Sequence, residues 1–157
     1  MQISLDEIDL NILTLLQPNS YLSNVELAKK LGMAPSAVLE RVKKLENKGV
    51  IEGYPTRIKP EAINLKLLAF IFIKSSEGPG NAAVAKLLSK IPEVLELHHI
   101  AGDDCYLLKV RAQDPQSLIK LMRDKFSKIP NILSTKTTIV LETLKEQNQL
   151  IIPKISL

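Results

Sequence analysis

Within residues 23–54, Gly32-Met33-Ala34 separates two segments of helical periodicity, and Pro35 opens the second of them. That spacing admits few geometries. Glycine suits the left-handed position that ends a helix, and proline suits the first turn of the next, where a missing amide hydrogen costs nothing. Upstream, Ser23 and Glu26 have the spacing of a capping box, and Val25, Ala28 and Leu31 form an apolar stripe. Downstream, Val38, Val42 and Leu45 form another, which leaves Ser36, Ala37, Glu40, Arg41, Lys43, Lys44 and Asn47 on flanking or outward positions. Gly49 ends that segment, and Val50, Ile51 and Tyr54 predict a short strand after it.

Two helices joined this way are a helix-turn-helix, whose second helix enters the major groove of DNA with its first residues against base edges. Ser36, Ala37, Glu40 and Arg41 are the base-edge candidates. A glutamate accepts from cytosine N4, an arginine bridges guanine O6 and N7, and an alanine touches a thymine methyl. Lys29, Lys30, Lys43 and Lys44 are the phosphate candidates. A solvated basic face on a packed helix pair is the plain alternative, and charge placement helps to decide. Residues 25–60 carry eight Lys or Arg against four Asp or Glu, whereas the much longer span 61–157 carries thirteen against ten. The excess positive charge is therefore densest where the helix pair lies.

Ser4 and Glu7 have capping-box spacing, and Ile8, Ile12, Leu15 and Leu16 predict a further helix that stops at Pro18. Three helices and a strand make a winged or near-winged helix-turn-helix domain over 1–54. Pro55 and Pro60 mark a linker over 55–65. From residue 66 the pattern changes. The run LLAFIFI at 67–73 is apolar without alternation, as in a strand covered on both faces. Gly78-Pro79-Gly80 predicts a turn, followed by a helix over 81–90 with Val84, Leu87, Leu88 and Ile91 on one face, and a strand over 94–100. Gly102-Asp103-Asp104 predicts a turn into a strand at 105–111. Asp114-Pro115 then opens a helix that faces Leu118, Leu121, Met122 and Phe126 inward, and a last strand spans 133–144.

The seven residues from Ser89 to Leu95, SKIPEVL, recur as SKIPNIL from Ser127 to Leu133, each where a helix breaks into a strand. The order is β-α-β twice, the doubled unit of a ferredoxin-like sheet over 66–157, and the fold class is α+β. Two helices cover one face of such a sheet. The apolar second face of the first strand calls for another cover, and the same sheet from a second copy supplies it in a symmetric dimer.

These residues resemble the Lrp/AsnC, or feast/famine, family of transcription regulators over nearly the whole length. LDEIDLNIL is similar to the family's opening helix, LAKKLGMAPSAVLERVKKLENKGVIEGY to its helix-turn-helix, and IAGDDCYLLKVRAQD to the sheet turn of its effector domain. TKTTIVLETLKEQNQLII is similar to its last strand and tail, in the leucine-responsive type. The resemblance implies a sequence-specific regulator of double-stranded DNA that forms homodimers, assembled further into tetramers or octamers. It also implies a small effector, an amino acid, bound between subunits. The positions matching the effector site are His99, Gly102, Asp103, Asp104, Cys105, Thr137, Thr138 and Val140. The chain departs from the leucine-responsive type at Cys105, where aspartate is common, and at His99, where an apolar residue is common.

Other chemistry is poorly supported. Cys105 beside His98 and His99 suggests a nucleophile and base, but neighbouring strand residues point to opposite faces and no third group orients them. One cysteine and two histidines call for neither a metal nor a cofactor, and a lone thiol suits a reducing cytoplasm. The 67–73 run is far shorter than the roughly 20 apolar residues of a membrane span, and the N-terminus lacks a basic signal region. An architectural DNA-compacting protein and a sirohaem-decarboxylase-like enzyme on the same fold are the alternatives to a regulator. The second lacks support, because the chain has no tryptophan and no dense His/Arg cluster.

Overall fold

A computed structural model describes residues 4–78 and 81–153, so Pro79 and Gly80 of the expected turn lie outside the described residues. The chain divides into two compact units, one of 1–56 together with 145–157, the other of 57–144. The sequence reading assigned the tail to the second domain. The tail groups instead with the first unit, where the Gln17 carboxamide holds both backbone groups of Leu150, donating to its oxygen at 3.1 Å and accepting from its nitrogen at 2.7 Å.

The first unit contains α1 (Glu7–Leu16), α2 (Asn24–Leu31) and α3 (Pro35–Asn47). Helix α1 begins two residues later than Ser4 suggests. Asp6 is its cap, and Asp6 with Asp9 completes a capping box, their side chains each accepting from the other's backbone amide. Ser23 and Glu26 form the expected box on α2, with Glu26 Oε2 accepting from both the amide and the hydroxyl of Ser23 at 2.8 Å. Those bonds hold the Glu26 carboxyl below the usual carboxylate range. Gly32 takes the left-handed conformation at φ 65° and Pro35 opens α3.

Ile12, Leu16, Leu27, Ala28, Val38, Val42 and Leu45 make the buried centre of this unit. One expected core position is exchanged: Val25 is 63% exposed, and Leu27 is buried in its place. Helix α2 is too short for a unique apolar stripe to be read, and packing against α1 and α3 selects the 27–28 side. No strand forms at 50–54. Val50 and Ile51 pack on the core, and both their amides donate to the Leu45 carbonyl, at 2.9 and 3.3 Å. With those donors used at the helix end, the segment has no ladder to join.

The second unit contains β1 (Leu67–Ser75), α4 (Ala83–Leu88), β2 (Val94–His99), β3 (Tyr106–Ala112), α5 (Pro115–Asp124) and β4 (Ile132–Ile139). The strands form one sheet in the order β2-β3-β1-β4, antiparallel throughout, which is the ferredoxin-like arrangement. Asp114 caps α5 and Pro115 opens it. Both copies of the SKIP repeat sit where a helix gives way to a strand, ahead of β2 and β4.

Because side chains alternate along a strand, β1 serves two faces. Ala69, Ile71 and Ile73 point toward the helices and pack with Val84, Leu88, Leu108, Val110, Leu118, Leu121 and Phe126. Leu87, expected inside, is 39% exposed, so α4 contributes only Val84 and Leu88 fully. Phe70 and Phe72 point the other way and stay partly exposed. Leu107 faces Phe72 across the ladder, and Lys136 pairs with it on the opposite side, its Nζ 5.0 Å from the ring centroid.

Candidate functional site

The reading surface follows from helix geometry. With Val38, Val42 and Leu45 turned inward, Ser36, Glu40, Lys43, Lys44 and Asn47 are exposed on α3, and Ala37 is half-buried beside them. Lys29 and Lys30 are exposed in the last turn of α2, where the helix dipole favours a cation. Serine, alanine and glutamate thus occupy the start of α3, with lysines further along it and across the turn.

Arg41 differs from these neighbours. It lies at the seam between the buried and outward faces of α3, and its Nη1 donates to Asp6 Oδ2 at 2.7 Å and to Asp9 Oδ1 at 2.8 Å. The sequence reading placed Arg41 among the base-edge residues; in the structure it ties α3 to the start of α1. Its guanidinium is held above the ordinary arginine range by these two bonds, while the Asp6 carboxyl is held below its own by the Asp9 amide and by Arg41. The signal was present in the Asp6-x-x-Asp9 spacing, but only the packing of α1 against α3 brings residues so distant in the chain together.

Tyr54 was expected on a strand. Its hydroxyl instead donates to Glu46 Oε1 of α3 at 2.8 Å, and partial desolvation of the half-exposed ring together with that carboxylate pushes the phenol pKa up to about 12.

The effector candidates fall into two groups. Gly102 and Asp103 are exposed at the β2–β3 turn, Asp104 and Cys105 are half-buried, and the exposed His99 ring lies 5.4 Å from that of Tyr106. The Cys105 amide donates to the Ile73 carbonyl at 2.8 Å, which fixes the turn at the Ile73 end of β1. Its thiol approaches the Ser75 carbonyl at 3.7 Å. Thr137 and Thr138 are exposed on β4, opposite Ile71 and Phe70, and point to opposite faces; the Val140 amide donates to the Leu68 carbonyl.

The two groups are separated by β1 and by several rungs along it, roughly 10 Å in each direction. One chain does not bring them together. The cleft of about 400 Å³ in this unit lies between α5 and β4, lined by Ile119, Met122, Arg123, Phe126, Ile129 and Thr135 among others, and includes none of the eight candidates. Among the described residues no cluster of three or more His, Cys, Asp or Glu is placed to hold a metal, and no helix is long and apolar enough to cross a membrane.

Comparison with known proteins accounts for both units. A family model described as the Lrp/AsnC ligand binding domain matches residues 68–150, and one described as a winged helix-turn-helix DNA-binding domain matches residues 5–52. The leucine-responsive regulatory protein of Salmonella typhimurium is 40% identical over 94% of this chain and 92% of its own length. That of Escherichia coli K12 is 39% identical over the same shares. Among solved structures, a transcriptional regulator from Neisseria meningitidis in complex with L-methionine superposes with a TM-score of 0.86 at 31% identity, covering 94% of this chain and 97% of its own. A feast or famine regulatory protein from M. tuberculosis complexed with L-methionine gives 0.87 at 33% identity, over 96% and 100%. With an exposed recognition helix in one unit and a ligand-binding sheet in the other, this chain belongs to the Lrp/AsnC family of transcriptional regulators.

Proposed function

We propose that the working form is a dimer of facing sheets that carries two reading heads and takes an amino acid between subunits. The observation that supports this is the division of the sheet. Its open face leaves Phe70, Phe72 and Leu107 partly exposed, and the effector residues of one chain stand on opposite sides of β1. A second copy covers the apolar face and sets the turn of one subunit near β4 of another, so one association answers both needs. An amino-acid zwitterion asks for a carboxylate toward its ammonium and for hydroxyls or amides toward its carboxylate. Asp103 or Asp104 meets the first need and Thr137 or Thr138 the second. His99, Gly102, Cys105 and Val140 shape the rest of the site. The relatives solved with L-methionine support an apolar amino acid as the class of effector.

On DNA, Ser36, Ala37 and Glu40 address base edges, and Lys29, Lys30, Lys43 and Lys44 address phosphates. Effector binding between subunits shifts the assembly, including tetramers or octamers, and so changes how the heads match successive half-sites. This is regulation in the cytoplasm without catalysis. The test is binding of the purified protein to its own upstream DNA and to random DNA at physiological salt, with and without a panel of amino acids. Selective binding altered by methionine, leucine or a similar amino acid supports the reading. Equal, salt-sensitive binding to both DNAs that no amino acid changes would transfer the protein to the architectural class.

A further inference from the structure

We infer that Arg41 acts in DNA selection as a positioning residue, which orients α3 through Asp6 and Asp9 rather than by touching a base. The inference rests on the DNA-reading role of α3 proposed above. A single nitrogen, Nη1, bridges both carboxylates at 2.7 and 2.8 Å, the short distances of charge-assisted bonds. The two acids are not free surface groups. Each side chain accepts from the other's backbone amide in the α1 capping box, so both are anchored before Arg41 arrives.

Asp9 is nearly buried at 9% exposure, and a carboxylate in that position needs a cation. Arg41 supplies it from the middle of α3, next to Glu40 and one turn beyond Ala37. The bridge therefore sets the rotation of α3 about its own axis, which decides where Ser36, Ala37 and Glu40 point. The core contacts of Val38, Val42 and Leu45 hold the helix in place but resist a small rotation less well, because apolar contacts are not directional.

The alternative is that Arg41 leaves the acids for a guanine or a phosphate when DNA binds. The double variant Asp6→Asn/Asp9→Asn separates the two roles. Asparagine still caps a helix, so α1 is retained while the charge pair is lost. Removing two negative charges beside a DNA surface strengthens binding to any sequence. In the positioning role, affinity for random DNA rises or holds while the ratio of specific to random binding falls about tenfold. Arg41→Ala lowers that ratio by a similar factor, the triple variant is no worse than either, and Arg41→Lys restores part of the loss. The slope of log affinity against log salt on random DNA does not change with Arg41→Ala, because no phosphate contact is removed.

Binding is measured well below each variant's melting temperature, so that loss of fold does not enter. A double Asn variant as selective as the parent, or an Arg41→Ala slope reduced by about 0.9 per head as for a lost phosphate contact, overturns the inference and leaves the DNA-reading role standing. A parent protein that does not discriminate between the two DNAs removes both.

Discussion

Phe72 offers the sharpest test of the dimer. Its ring sits on the open face of the sheet between Leu107 and Lys136, and it takes no part in the buried cluster under α4 and α5. Substitution there leaves the helix-side core intact. The ring is partly exposed in the single chain, so covering the remainder contributes about 1 kcal/mol at roughly 25 cal/mol per Å². A two-fold interface counts each residue twice, which makes Phe72→Ala worth about 2 kcal/mol, or roughly a 30-fold weaker dimer. Phe72→Asp goes further. It places a carboxylate on the covered face of each sheet, at a desolvation cost of several kcal/mol per charge that the neighbouring Lys136 offsets only in part. At micromolar concentration the Asp variant is expected to sediment at the 17.5 kDa monomer mass with an unchanged circular dichroism spectrum. The reasoning is refuted if Phe72→Asp retains its parent's mass while remaining folded, or if the parent itself sediments as a monomer.

Three further outcomes follow from the geometry. Lys44→Ala is expected to weaken binding to specific and random DNA alike and to reduce the salt slope by about 0.9 per head, read from a salt titration of fluorescence anisotropy. Leu27→Ala, at a position 1% exposed, is expected to destabilise the first unit by roughly 2–5 kcal/mol in urea unfolding, whereas Val25→Ala on the same helix, 63% exposed, should fall within about 0.5 kcal/mol of the parent. The Tyr54 pKa of about 12 predicts a pH effect. The folded state retains the phenolic proton to higher pH than the unfolded chain, whose tyrosine titrates near 10. The contribution is therefore complete below about pH 10 and is lost as pH rises toward about 12. Phenolate absorbance should show late titration, to which Tyr106 also contributes because burial and Glu77 raise its phenol pKa, and Tyr54→Phe should remove the part near pH 12.

Local chemistry was legible in the residues alone. Gly32 and Pro35 announce the tight turn because few other residues accept a left-handed helix end or a first helical turn without an amide hydrogen. Ser23 with Glu26 announces a helix start because donor and acceptor lie within one turn of each other, and Asp114 before Pro115 does so because the aspartate accepts from the Ser117 amide while proline needs no partner in the first turn. The repeated SKIP segment and the apolar run at 67–73 were enough to indicate the doubled β-α-β unit, because strand and helix periods differ so plainly. Motifs spread along the chain also indicated the family, and the site residues carried over from it could be named before their geometry was known.

What tertiary structure alone decided concerns choices between residues that look equivalent in one dimension. Arg41 and Lys44 are both basic residues on α3, yet only Arg41 meets the acids that begin α1, because that contact depends on the crossing of two helices distant in sequence. Leu27 rather than Val25 is buried, because α2 alone permits either register and its neighbours select one. The 50–54 segment forms no strand, since a strand exists only by pairing and Leu45 takes its first two donors. The sheet register places Thr137 and Thr138 across β1 from the 102–105 turn. Hydrogen bonding and steric limits within a turn are written into a few adjacent residues; which face packs, and on what, belongs to the assembled chain.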